Sequence, residues 1–164
     1  KDIASGDVAF FLSCFEIITQ EYLSLNKHNI VVHASDLPQG KGWSPMTWQI
    51  LEGKNDIPIT LFEATEAVDA GDYYIKEVLH LEGTELIAEW QEKLGQKIIE
   101  MCFKFISDYI NIKSNPQVGI STFYPRRKPV DSELDINKTI KEQFNLLRTV
   151  DNEKYPAFFV IINL

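Results

Sequence analysis

Cysteine is nearly absent: only Cys14 and Cys102 occur, and neither sits in a Cys-x-x-Cys or Cys/His spacing. That removes the sequence frame for a zinc site or a disulfide scaffold, and each reads as a small buried hydrophobe. Positive charge is also scarce, with 16 Lys and Arg against 24 Asp and Glu and a formal net charge of -8. Proteins that grip nucleic acid through its phosphates carry a basic face. Nucleic acid is therefore not an expected partner, and the balance favours an enzyme acting on small molecules. No apolar run approaches the ~20 residues that span a bilayer, so no membrane partner is expected. The start, Lys1-Asp2-Ile3-Ala4-Ser5-Gly6-Asp7, is polar, lacks Met and does not read as a signal peptide. The expectation is a cytoplasmic protein and an internal piece of a longer chain. Repeats and low-complexity segments are lacking too.

What is present suits one globular unit: 164 residues, 45% of them hydrophobic. Residues 8–12 (VAFFL) form a short apolar run that predicts a buried strand. Residues 17–25 predict a helix, 26–29 a turn, and 30–32 a second buried strand ending at His33. Strand, helix and parallel strand make a βαβ unit, whose ligands bind beyond the carboxyl ends of the strands. A loop follows over 34–45, then a helix over 46–52 closed by Gly53. Strands are predicted over 57–64 and 73–81 on either side of a turn at 68–72. Residues 84–110 carry the strongest helical period, through Ile87, Trp90, Leu94, Ile98, Met101 and Phe105, with Thr84 as N-cap. These apolar residues read as core. A shorter helix over 138–150 and a strand over 157–164 complete the reading.

Two clusters carry chemistry. The first is His33-Ala34-Ser35-Asp36-Leu37-Pro38, followed by Gly40, Gly42 and Pro45. An imidazole at a strand end beside a glycine-rich loop can exchange protons near neutral pH. His28 and His80 have no such setting and read as structural. The second is Asp69-Ala70-Gly71-Asp72, which alone would be an ordinary Asx-type turn. The EF-hand pattern is absent, and no metal site is expected. What joins the clusters is that both follow strands of one proposed sheet, so both can face one crevice.

Their order and spacing, with Trp48 and the strand over 57–64 between them, resemble the catalytic core of the folate-dependent formyltransferases. That group includes methionyl-tRNA formyltransferase and the sugar N-formyltransferases. The resemblance is close over residues 8–110. It is looser through Tyr124-Pro125-Arg126-Arg127, Leu134-Asp135 and the stretch from Leu146 to Phe159. It implies an α/β fold: a Rossmann-like, mostly parallel sheet with flanking helices over 1–112, lacking its first strands, and an incomplete helix-plus-strand extension over 113–164. It implies 10-formyltetrahydrofolate as formyl donor and His33 and Asp69 as catalytic residues. The pterin is expected beside Leu12, Ser13 and Cys14 and the turn that includes Ala67, Val68 and Asp69.

One departure stands out. Where the family motif has Asn two residues before its His, this sequence has Val31. Alternate strand residues share a face about 7 Å apart, which puts Asn29, about 13 Å away, on the same side as a weak substitute. Ser13, Ser35 or a backbone N–H are the other candidates to polarise the formyl oxygen. For the acceptor, Trp43 is a candidate stacking surface. Arg126, Arg127 and Lys128 form the one compact basic cluster, suited to clamping a diphosphate. That favours a nucleotide-linked amino sugar over a tRNA. A methionyl-tRNA enzyme and a non-catalytic or hydrolytic relative stay open, as does a homodimer.

Overall fold

The computed structural model describes residues 3–14 and 16–161. Its centre is a four-stranded sheet in the order β1-β2-β4-β5, formed by Gly6–Phe11, Asn26–His33, Asp56–Glu63 and Tyr73–His80. A single helical turn, α1 (Gln20–Leu23), joins β1 to β2. These two strands pair in parallel, with Val8 opposite His28 and Phe11 opposite Val31. The expected βαβ unit is therefore there, although its helix is much shorter than the predicted 17–25. Residues 26–29, read as a turn, are the first half of β2, where Asn26 and Asn29 are buried.

Beyond β2 the sheet departs from a mostly parallel one. β4 runs antiparallel to β2, with His33 opposite Thr60 and Ile30 opposite Glu63, and β5 runs antiparallel to β4. The cause lies in the connection. After the two-residue strand β3 (Lys41–Gly42) comes α2, Pro45–Leu51, of seven residues. A seven-residue helix spans only about 10 Å, while an eight-residue strand is about 26 Å long. Such a helix cannot carry the chain back along β2, so β4 starts near the end where β2 finished and runs the other way. The α/β class holds, with a mixed sheet.

The long helix α3, Ile87–Ser107, packs Trp90, Met101 and Phe105 onto Ile30, Ile57, Ile59, Leu61 and Leu79. These residues are buried to within a few per cent, and each such side chain contributes roughly 1.5–3 kcal/mol. Thr84 is not the cap of α3. The Glu89 carboxylate closes the first turn instead, accepting the Leu86 N–H at 2.8 Å. Leu86 itself is extended, and Glu85, the residue before it, is buried against Arg148.

Residues 108–161 wrap the core mostly as loop. β6, Phe123–Tyr124, pairs in parallel with β3. The predicted helix over 138–150 is one 3-10 turn (Lys141–Gln143) and one α-turn, α4 (Phe144–Leu147). Of the strand predicted over 157–164, Phe158 makes a single parallel bridge to Glu133, and residues 162–164 lie outside the described residues.

Candidate functional site

A cleft of ≈ 650 Å³ opens at the carboxyl ends of the parallel pair β1 and β2. One wall is Phe11, Ser13, Cys14, Val31, Val32 and His33; another is Phe62 with residues 64–69; α3 supplies Trp90, Gln91, Leu94, Gly95 and Ile98. Trp90, Leu94 and Ile98, which the helical period predicts as core, thus also line the cleft. Gly95 is the signal that pointed elsewhere: in mid-helix it costs stability relative to Ala, and a Cβ there would meet nothing within 4 Å.

His33 ends β2 and is buried. Its Nε2 lies 2.8 Å from the Gly40 carbonyl oxygen, so Nε2–H donates there, and 3.8 Å from Asp69 Oδ2. Gly40 has φ +69, and a Cβ would meet Ser35 and the Tyr124 ring at 2.9 Å each, so glycine alone fits. Asp69 also has a positive φ, 48°, which Asp tolerates better than most residues. Its Oδ2 accepts the Gly42 N–H at 2.8 Å. The Gln117 side-chain amide donates to the carbonyls of Asp69 and Gly71 at 3.0 and 2.7 Å.

The imidazole and the carboxylate do converge, but not at neighbouring strand tips. β4 ends at Glu63, opposite Ile30, and its continuation at Ala64 donates to the Asn29 carbonyl at 2.6 Å, well below His33. The excursion over residues 64–72 then brings Asp69 back up to the His33 end. At its base Gly71 sits against the Glu63 backbone with no room for a Cβ.

The other predicted residues divide. Ser13, Cys14, Ala67, Val68 and Trp43 line the cleft, and Trp43 is 42% exposed. Asn29 does not line it: its side-chain amide donates to the Leu23 and Asn26 carbonyls at 2.9 and 3.3 Å, tying β2 to α1. That is a correction, because Asn29 faces the strand connection, not the site. Val31 does line the cleft. Ser35 is buried, and its hydroxyl has no partner among the described residues. Trp48 donates its indole N–H to the Pro125 carbonyl at 2.9 Å and stacks on Tyr124. Arg127 is the second correction. Its guanidinium is buried and donates to the Thr149 and Asp131 carbonyls and the Ser132 hydroxyl, so it braces residues 127–149 and is not free to clamp a phosphate. Arg126 is exposed and lies outside the cleft lining. Among the described residues no group of three His, Cys, Asp or Glu could hold a metal ion. No helix among them is long and apolar enough to cross a membrane.

Comparison with known proteins agrees with this architecture. The formyl transferase family matches residues 2–102. A methionyl-tRNA formyltransferase of Mycoplasma capricolum subsp. capricolum is 29% identical over 170 residues, covering 99% of this chain and 52% of that protein. The chain thus spans about half the length of the curated relatives it matches. Among solved structures, a methionyl-tRNA formyltransferase from Clostridium thermocellum superposes with a TM-score of 0.78 at 25% identity, over 93% of this chain and 66% of that one. WlaRD, a sugar 3N-formyl transferase in the presence of dTDP and 5-N-formyl-THF, gives 0.71 at 23% identity, over 94% and 57% of the two chains.

Proposed function

Because the chain belongs to the formyl transferase family, we propose that it moves a formyl group from 10-formyltetrahydrofolate to the amino group of a nucleotide-linked sugar, in the cytoplasm. The observation that carries the reading is the imidazole–carboxylate pair, 3.8 Å apart, at the wall of a ligand-sized cleft.

The cleft fits the donor. Its volume is in the usual range for small-molecule sites, and Phe62, Leu94 and Ile98 give apolar surface for a flat heterocycle. Ser13, Cys14 and residues 67–69 are the groups that would hold it. The donor, when bound, supplies an electrophilic formyl carbon. His33 keeps its Nε2 proton on the Gly40 carbonyl, and Asp69, 3.8 Å from that nitrogen, is placed to hold positive charge on the ring and to take a proton from an incoming ammonium. The Gly42 N–H fixes the carboxylate in that direction. Burial of His33 keeps bulk water from competing.

The acceptor reading rests on charge and wording. A net charge of -8 is poorly suited to a polyanionic tRNA, and Tyr124-Pro125-Arg126-Arg127 leaves Arg126 exposed for a phosphate. A second reading, methionyl-tRNA as acceptor, is favoured by the curated relatives, two of which are similar over 99% of the chain.

The test is the full-length protein with 10-formyltetrahydrofolate and a panel of nucleotide-linked amino sugars and methionyl-tRNA, followed by mass spectrometry. An N-formylated sugar supports the first reading and a formylated tRNA the second, while free formate alone points to a hydrolase. His33→Ala and Asp69→Asn are each expected to lower turnover by roughly 10²–10⁴-fold with an unchanged circular dichroism spectrum. Near-parent turnover in either variant would remove that residue from the mechanism.

A further inference from the structure

One segment, residues 115–124, touches both halves of the site without lining the cleft. At its start Asn115 exchanges two backbone hydrogen bonds with Tyr73, at 2.9 and 2.8 Å. Gln117 then spans the Asp69 and Gly71 carbonyls. At its other end the Thr122 N–H donates to the Pro38 carbonyl at 3.3 Å, and the Thr122 and Tyr124 carbonyls accept from Lys41 and Trp43 at 2.9 and 3.2 Å. The Thr122 hydroxyl accepts the Gly40 N–H at 2.8 Å. Between these anchors Val118 and Ile120 are more than four-fifths exposed. The segment is a strap laid over the outside of the site.

Its bonds set where the reacting groups point. Gly40 is held from both sides, its N–H by Thr122 and its carbonyl by the His33 ring. Successive N–H groups of an extended strand point in alternate directions. With the Lys41 and Trp43 N–H groups turned to residues 122–124, the Gly42 N–H must point the other way, and there it meets the Asp69 carboxylate. We propose that Thr122 and Gln117 are positioning residues: Thr122 acts through Gly40 on His33, and Gln117 acts through the turn on Asp69. This rests on the formyl-transfer reading of His33 and Asp69.

Thr122 is exposed, so its replacement leaves the core alone. Thr122→Val deletes the hydroxyl acceptor at nearly constant shape, and Thr122→Ser restores it. In the full-length protein Thr122→Val is expected to lower kcat by roughly ten- to a hundredfold, with KM for 10-formyltetrahydrofolate and the melting temperature unchanged, and Thr122→Ser to recover most of kcat. Gln117→Leu is expected to act on kcat in the same way. A readout independent of turnover is the ¹⁵N spectrum of the His33 ring, in which Thr122→Val shifts the Nε2 signal and Thr122→Ser does not. Unchanged kcat and unchanged His33 signals in Thr122→Val overturn the proposal, as does an equal loss in the Val and Ser variants. If no variant or parent transfers formyl but the His33 signals still move in Thr122→Val, the reaction assignment fails and the positioning stands.

Discussion

At Val31 the cleft wall presents two methyl groups where the family motif carries a carboxamide. A single donor aimed at a developing oxyanion is worth about 2.7–4 kcal/mol of barrier. Val31 lies in the middle of a paired strand, between Phe11 and Phe62, so an Asn there keeps its backbone bonds. Val31→Asn is expected to raise kcat up to roughly a hundredfold without loss of helical or strand content. A variant no faster than the parent in the same formylation assay means another donor already fills the role. The residue scale is also where the sequence misleads. Arg126 and Arg127 are adjacent and look alike in composition, yet one is exposed and the other is buried under three acceptors. Composition does not distinguish them, because Arg127 is held by the fold of the turn that follows it, at Asp131 and Ser132, and by Thr149, more than twenty residues later. His33 and Asp69 were legible because each sits in a motif whose neighbours, Gly40, Gly42 and Gly71, are required by the backbone.

Among the elements, the turn that leads into α3 is closed by Glu85, whose carboxylate accepts the Glu82 and Gly83 N–H groups. Burial by itself would raise the pKa of this carboxyl, but the Lys93 ammonium and the N–H groups of Glu82, Glu85 and Gly83 outweigh it and bring it down from 4.5 to about 2. A carboxylate depressed on folding adds stability that is complete above its unfolded pKa and is lost as pH falls through the folded one. The window is therefore pH 4.5 down to about 2, and the contribution is roughly 3 kcal/mol. Urea melts of the parent across this range should lose more stability than those of Glu85→Gln, which starts lower and lacks that share of the slope. Parallel curves would show that the carboxylate is not held in this way. Strand positions were legible at this scale, since apolar runs mark β1, β2 and β4 directly. Strand direction was not, because hydrophobic period is the same read either way. The seven-residue length of α2 was the available signal, and it contradicts a parallel crossover.

For the molecule as a whole, Arg148 is the tie between core and extension. It is 1% exposed, and its guanidinium reaches the Glu85 carbonyl and carboxylate as well as Asn55 and Asn145. Its own carbonyl accepts the Trp90 indole N–H at 2.8 Å. Removing one member of a buried ion pair typically costs about 3–5 kcal/mol. Arg148→Met should lose that much unfolding free energy in denaturant melts and expose residues 125–161 to limited proteolysis while residues 26–107 stay protected. Equal protection of both parts in the variant would refute the tie. No sequence pattern announced this contact, which joins positions 63 residues apart.

The strap over residues 115–124 has a consequence for timing during synthesis. A chain emerges from the ribosome amino end first, at roughly 5–20 residues per second. His33 and Asp69 are therefore made several seconds before Thr122, whose hydroxyl holds their loop. A nascent chain has the imidazole and the carboxylate early but gains their fixed geometry only when the later segment arrives, so premature termination before that point leaves the pair without its strap.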